Sequence, residues 1–219
     1  TDEVIRAHLC GRRPYGVYLL VHDKTRAIAA DFDHDDLAPP MEFVRVAKNY
    51  GIDAYIASSK SKGYHAYIFL AEQGVLAWKA RAIVRHILAE IGHPHTEVFP
   101  KQDRLDGRNP YGNFINAPLF GRLISKGRTV FVDPTDPTKP ASDQWIILEQ
   151  IQRVPELLLD EIISINDLEQ KPTLAPPAAK FPVTTLESCR ATFGLPPCAQ
   201  RWRRRMRVRR PCLISQAIS

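Results

Sequence analysis

Two aspartates one residue apart, Asp31 and Asp33, stand at the exit of the apolar run Ala27-Ile28-Ala29-Ala30. Side chains alternate along a strand, so both carboxylates project from one face while Ile28, Ala30 and Phe32 project from the other. Two acids side by side repel each other in low dielectric, and a divalent cation relieves that cost. The chemistry such a pair permits is metal-assisted transfer or cleavage at phosphorus. A nucleotide-sugar transferase, a phosphatase or a nuclease also uses such a pair. The non-catalytic reading of the same residues is a solvated acidic turn running on through His34, Asp35 and Asp36.

A second group follows at Ser59-Lys60-Ser61-Lys62-Gly63, with His65 two residues on. Small residues let a phosphate approach the backbone, the serines offer donors and the lysines offer charge. His65, opening the next extended segment, is placed to donate to a phosphate oxygen. A histidine satisfied within the fold is the structural alternative.

A third group is Glu97-Val98-Phe99-Pro100-Lys101-Gln102, then Gly112-Asn113-Phe114-Ile115-Asn116-Ala117-Pro118-Leu119. Glu97 can supply the third acid of a two-metal site, with Asp103 and Asp133 as rivals. Lys101 suits a triphosphate. Gln102, Asn113 and Asn116 suit phosphate, sugar or base, although asparagine next to glycine is equally a turn residue.

The surrounding pattern predicts the elements that must hold these groups. A short helix within residues 1–14 leads to a strand over Tyr15–Val21, a tight connection at His22–Thr25 and a second strand over Arg26–Phe32, read as a hairpin. Pro40, Phe43, Ala47 and Tyr50 give a helix stopped at Gly51. Strands are expected at Asp53–Ser58 and Tyr64–Leu70, and the clearest helix at Val75–Ile91, where Leu76, Ala80, Ile83, Ile87 and Ile91 form one stripe. Further strands fall at Thr96–Phe99, Asn113–Pro118 and Thr129–Val132, and helices at Gln144–Ile151 and Pro155–Ile165. The sum is α+β, helices against a largely antiparallel sheet. The expected division is a catalytic domain over 1–165, a Pro-rich linker over 166–183 and a basic tail over 184–219.

The 219 residues carry a net charge of +6. Seven arginines and no acid lie in residues 201–219, so the preceding 200 hold 23 basic against 24 acidic groups, a balance of −1. Nucleic-acid binding by the body therefore needs a local patch. The arginine tail, with Trp202, Met206 and Val208, is either a nucleic-acid-binding arm or an unordered extension from a truncated or shifted reading frame. No apolar run reaches the roughly 18–20 residues that cross a bilayer. Cys10, Cys189, Cys198 and Cys212 lack metal-type spacing, so free thiols in the cytoplasm or nucleoid are expected.

The order of an Asp-x-Asp strand, a Ser-rich basic turn ending in histidine and an acidic strand resembles the archaeo-eukaryotic primase superfamily. Glu-Val-Phe-Pro-Lys-Gln and Gly-Asn-Phe-Ile-Asn-Ala-Pro-Leu look like the branch found in TOTE conflict systems and in primase-polymerases associated with CRISPR loci. The likeness covers roughly residues 5–155. It implies a primase-polymerase fold with an RRM-like sheet, and a template-directed nucleotidyltransferase using two Mg2+ or Mn2+ ions at Asp31, Asp33 and Glu97. It implies triphosphate binding by Ser59 or Ser61, Lys60, Gly63 and His65. Its implied partners are a DNA or RNA template and primer, dNTPs or NTPs, and helicase, nuclease or CRISPR adaptation modules, with no membrane. Glu97 departs from the aspartate common at the third acidic position, and Lys62 from the small or polar residue common in the turn. Against this stand three other readings: a Mn2+-dependent nucleotide-sugar transferase, which does not predict the Ser/Lys/His turn, a metal-dependent nuclease, and a non-catalytic module stacking bases on Tyr55, Tyr67 and Phe69.

Overall fold

The computed structural model describes residues 2–105 and 110–168. In chain order the elements are α1 (Asp2–Leu9), β1 (Gly16–Tyr18), β2 (Leu20–Val21), β3 (Lys24–Thr25), β4 (Ala27–Phe32), α2 (Ala38–Asn49), β5 (Tyr55–Ser58) and β6 (Tyr64–Phe69). They continue with β7 (Val75–Leu76), α3 (Ala77–Glu90), β8 (Glu97–Phe99), β9 (Phe114–Asn116), α4 (Gly121–Ile124), α5 (Gln144–Glu149) and α6 (Glu156–Ile165).

At the centre is a β-α-β-β-α-β unit, β4-α2-β5-β6-α3-β8, whose strands lie in the order β5-β6-β4-β8. Every pairing in it is antiparallel. Numbered within the unit, that order is 2-3-1-4, the split arrangement of the ferredoxin-like and RRM-like folds. The expected α+β class with an antiparallel sheet is thus what the chain adopts. A two-stranded ribbon, β1-β9, and a three-stranded sheet, β2-β3-β7, flank the unit.

Strand β4 sits centrally because both of its faces are apolar. Ile28, Ala30 and Phe32 face a core built with Phe43, Val46 and Ala47 of α2, Ile83 and Ile87 of α3, and Leu159, Ile162 and Ile163 of α6. Burying each large side chain of this kind contributes roughly 2 kcal/mol, which holds the helices on that side. Both main helices stop at a left-handed glycine, Gly51 after α2 and Gly92 after α3. The other face carries a second core in which Ala29, Ala57, Tyr67 and Phe99 meet Ile115, Leu119, Val130 and Phe131. On β5 this cover reaches Ala57, whereas on β4 and β8 it stops at Ala29 and Phe99 and leaves Asp31 partly and Glu97 largely exposed.

Four expectations change. Tyr15–Val21 is two strands rather than one: β1 pairs with β9, while β2 turns through His22 to pair with β3. The partners of β4 are β6 and β8, since a strand buried on both faces needs neighbours on both edges, and the Tyr18–Val21 stretch is already paired with β9 and β3. The helix expected from Val75 starts at Ala77, because Val75 and Leu76 first pair with Thr25 and Lys24. Thr129–Val132 makes isolated bridges, Phe131 to Ala57 and Val132 to Pro140, rather than a strand. The arginine tail and nearly all of the expected linker lie outside the described residues.

Candidate functional site

Strand register builds one polar row across the uncovered end of the sheet. Ala57 of β5 lies opposite His65 of β6, His65 opposite Asp31 of β4, and Asp31 opposite Glu97 of β8. One step toward the second core, the row is Tyr55, Tyr67, Ala29 and Phe99. Asp33 stands just past the end of β4 on the same side as Asp31 by alternation, and is exposed. The row is thus open to solvent at its Asp31 and Glu97 end and rests on an aromatic one.

His65 is buried in this row. Its Nε2 lies 3.3 Å from Asp31 Oδ1, and its Nδ1 lies 3.0 Å from the Tyr67 hydroxyl. Tyr67 in turn donates to the Asn116 carbonyl at 3.4 Å. The ring is therefore fixed at both nitrogens, with Asp31 on one side and the second core on the other. Burial, with the nearby Asp31 charge second, pushes the Tyr67 phenol above its ordinary value. The folded state thus favours the neutral phenol, and this contribution is complete below about pH 10 and lost as the pH rises above it. Tyr67→Phe is expected to flatten the fall in urea midpoint between pH 9 and 11, and an equal fall in both proteins would contradict this.

The turn after β5 is closed by its own groups. The Ser59 amide donates to the Gly63 carbonyl at 2.9 Å and the Ser59 hydroxyl to the Lys62 carbonyl at 2.8 Å. Gly63 has φ +80°, and a Cβ there would fall 2.0 Å from the Phe32 carbonyl oxygen. The glycine is required because the turn packs directly on the backbone that carries Asp33. Lys60, Ser61 and Lys62 are exposed. The residue missed in the sequence is Ser58, whose hydroxyl donates to the Gly127 carbonyl at 3.0 Å and accepts from the Val130 amide at 3.2 Å. Adjacent serines in one turn gave no signal of which one was buried.

Glu97 is exposed, and its two carboxylate oxygens each lie 2.8 Å from the Lys101 ammonium. The same ammonium sits 4.9 Å from the Phe99 ring centroid. Gln102 donates from Nε2 to Asn113 Oδ1 at 2.8 Å, tying the segment after β8 to the start of β9. Asn116 shares a cleft with Ser59, Lys60, His65 and Tyr67. Lys101 and Glu97 are thus in one group with Asp31, while Gln102 and Asn113 pair with each other.

The two rival acids have other partners. Asp103 accepts from Arg81 Nε at 2.6 Å, and Arg81 also donates to the Pro100 carbonyl. Burial pulls the Arg81 guanidinium below its ordinary value and Asp103 opposes this. Asp133 accepts from the Thr135 hydroxyl at 2.6 Å and amide at 2.8 Å, and the hydroxyl bond chiefly holds its carboxyl low. Asp103→Asn leaves a mostly buried guanidinium without its counter-charge. The expected loss, seen as a lowered denaturant midpoint, is about 1–3 kcal/mol, since Asp103 itself is partly solvated.

Asp31, Asp33 and Glu97 offer only carboxylate oxygens, the donor type of Mg2+ and Mn2+. Among the described residues no three His, Cys, Asp or Glu side chains are already gathered around one point. Among the described residues no helix is long and apolar enough to cross a membrane.

A family model described as the TOTE conflict system, archaeo-eukaryotic primase domain, matches residues 1–162. Among curated proteins none matches the chain.

Proposed function

The chain belongs to the archaeo-eukaryotic primase domain family of TOTE conflict systems, and on that premise we propose that it is a template-directed nucleotidyltransferase. The observation that carries this is the row in which Glu97, Asp31 and His65 are direct cross-strand neighbours, with Asp33 at the strand exit. Asp31, Asp33 and Glu97 are the residues that would hold two Mg2+ or Mn2+ ions, which when bound activate a 3′-hydroxyl and neutralise charge at the α-phosphate and departing pyrophosphate. His65 borders Asp31 on the β6 side, so a triphosphate beside Asp31 would meet its imidazole. Lys60, Ser61 and Lys62 project at the same end of the sheet, and supply charge and donors to the phosphates without acting as bases. Lys101 is ion-paired with Glu97 and would supply its ammonium to a phosphate bound beside that carboxylate.

The base-stacking alternative loses support, because Tyr67 lies in the second core and the Tyr55 hydroxyl accepts from the Gln152 amide at 2.7 Å. The proposed substrates are dNTPs or NTPs on a DNA or RNA template with its primer. The proposed setting is the cytoplasm, alongside helicase, nuclease or CRISPR adaptation modules. A 5′-labelled primer annealed to a longer template, incubated with Mg2+ or Mn2+ and each nucleotide pool, tests the reaction class. Lengthening supports it. Shortening would replace it with a nuclease, and an unchanged primer in every pool would reject it.

A further inference from the structure

The large aromatic side chains of the central sheet are buried or half-buried, yet three aromatics outside it are exposed together. Tyr18 of β1, Phe114 of β9 and Tyr111 just before it are 48%, 53% and 68% exposed. The Tyr18 ring centroid lies 5.8 Å from that of Tyr111 and 6.0 Å from that of Phe114. Register explains the grouping. Tyr18 pairs with Phe114 and Val17 with Ile115, so Ile115 enters the second core while Phe114 and Tyr18 point outward. Opposite Asn116 stands Gly16, where a Cβ would lie 2.3 Å from the Phe114 ring. The missing side chain lets that ring lie across the ribbon, so the shelf is built and not a chance exposure.

Asn116 lies on the same outward side two residues from Phe114, and it lines the cleft shared with Lys60 and His65. The shelf is therefore continuous with the candidate site. Beyond its Gly16 end, Arg12 and Arg13 lead into β1, and Gly11 packs on the backbone of Arg122, where a Cβ would fall 2.6 Å from the Arg122 amide. All three arginines are exposed, and among the described residues none has an ion-pair partner. In a body whose overall charge is close to balanced, this is a local basic group beside exposed rings. Rings that accept any base face, next to cations that track a backbone, match single-stranded nucleic acid.

We propose that Tyr18, Phe114 and Tyr111 form the stacking shelf for the single-stranded template, with Arg12, Arg13 and Arg122 holding its phosphates. This deepens the nucleotidyltransferase reading and rests on it for the word template.

The test measures fluorescence anisotropy of a labelled oligo-dT against the full chain, without nucleotide or divalent ion. Tyr18→Ala with Tyr111→Ala is expected to weaken binding at least about tenfold, the effect typical of losing ring–base stacking. Arg12→Glu with Arg13→Glu should also weaken it and reduce its dependence on salt. If the alanine pair lowers the melting temperature, Tyr18→Leu with Tyr111→Leu keeps apolar bulk and removes the flat rings. Unchanged affinity in a folded variant overturns the proposal. So does conversion of a wild-type dimer to a monomer with oligo-dT affinity intact, which would make the shelf a self-association surface. If the wild type binds but never extends a primer, the nucleotidyltransferase reading falls and the shelf stands as a strand-binding surface.

Discussion

Asp31→Ala combined with Asp33→Ala is expected to lower primer extension by at least about a thousandfold, the scale on which two-metal chemistry depends on its ligands. The loss should come without unfolding. Asp33 is exposed past the end of β4, and Asp31 is only half-buried. Removing two like charges from one end of a strand also relieves repulsion. The change in melting temperature is therefore expected to be small and of either sign. Binding of Mn2+, followed by its electron spin resonance signal, should weaken in parallel with activity. A variant that melts far below the wild type would show that the carboxylates hold the sheet together, and one that still extends a primer would move the metal ligands elsewhere.

Gly63→Ala is expected to have the largest effect of any single change outside the acids. Two costs combine. A non-glycine residue at φ +80° costs about 1–2 kcal/mol, and the added Cβ would stand 2.0 Å from the Phe32 carbonyl oxygen and 3.0 Å from the Asp33 carbonyl carbon. That neighbour is backbone, so relief requires the turn or the end of β4 to move. Gly92 offers the control, with φ +76° and nothing within 4 Å of an added Cβ. Gly92→Ala should lose about 1 kcal/mol from its conformation alone. Gly63→Ala should lose roughly 3 kcal/mol or more, and should lose extension activity as well, because the displaced backbone carries Asp33. Equal denaturant midpoints for the two variants would show that the turn does not press on the strand.

The long periodic segments of this fold are legible in the sequence. Phe43 and Ala47 mark α2, the stripe from Ala80 to Ile87 marks α3, and the short apolar run Ala27–Ala30 marks β4. What is not legible is register, and register makes the site. Nothing local in Glu97-Val98-Phe99 says that Glu97 will stand opposite Asp31 and not one residue aside. Alternation does place His65 and Tyr67 on one face of β6, so their bond is readable in hindsight from spacing alone. Short strands that depend on distant partners fail in the same way. Val75 and Leu76 continue a helical pattern and become β7 because Lys24 and Thr25 offer an edge. The role of Asp103 is equally hidden, since its partner Arg81 is 22 residues away on a buried helix face. Tyr18 and Phe114 look like ordinary strand aromatics until Gly16 and Ile115 fix which side of the ribbon they take.

The row of Asp31, Glu97 and His65, with Asp33 beside it, is proposed to perform nucleotidyl transfer. Its most direct test is one denaturing gel of a 5′-labelled primed template with dNTPs and Mn2+, comparing the wild type with Asp31→Ala and Asp33→Ala combined. The expected result is a ladder of lengthened primer from the wild type and an unextended band from the variant. A ladder from both proteins, or from neither, would contradict it.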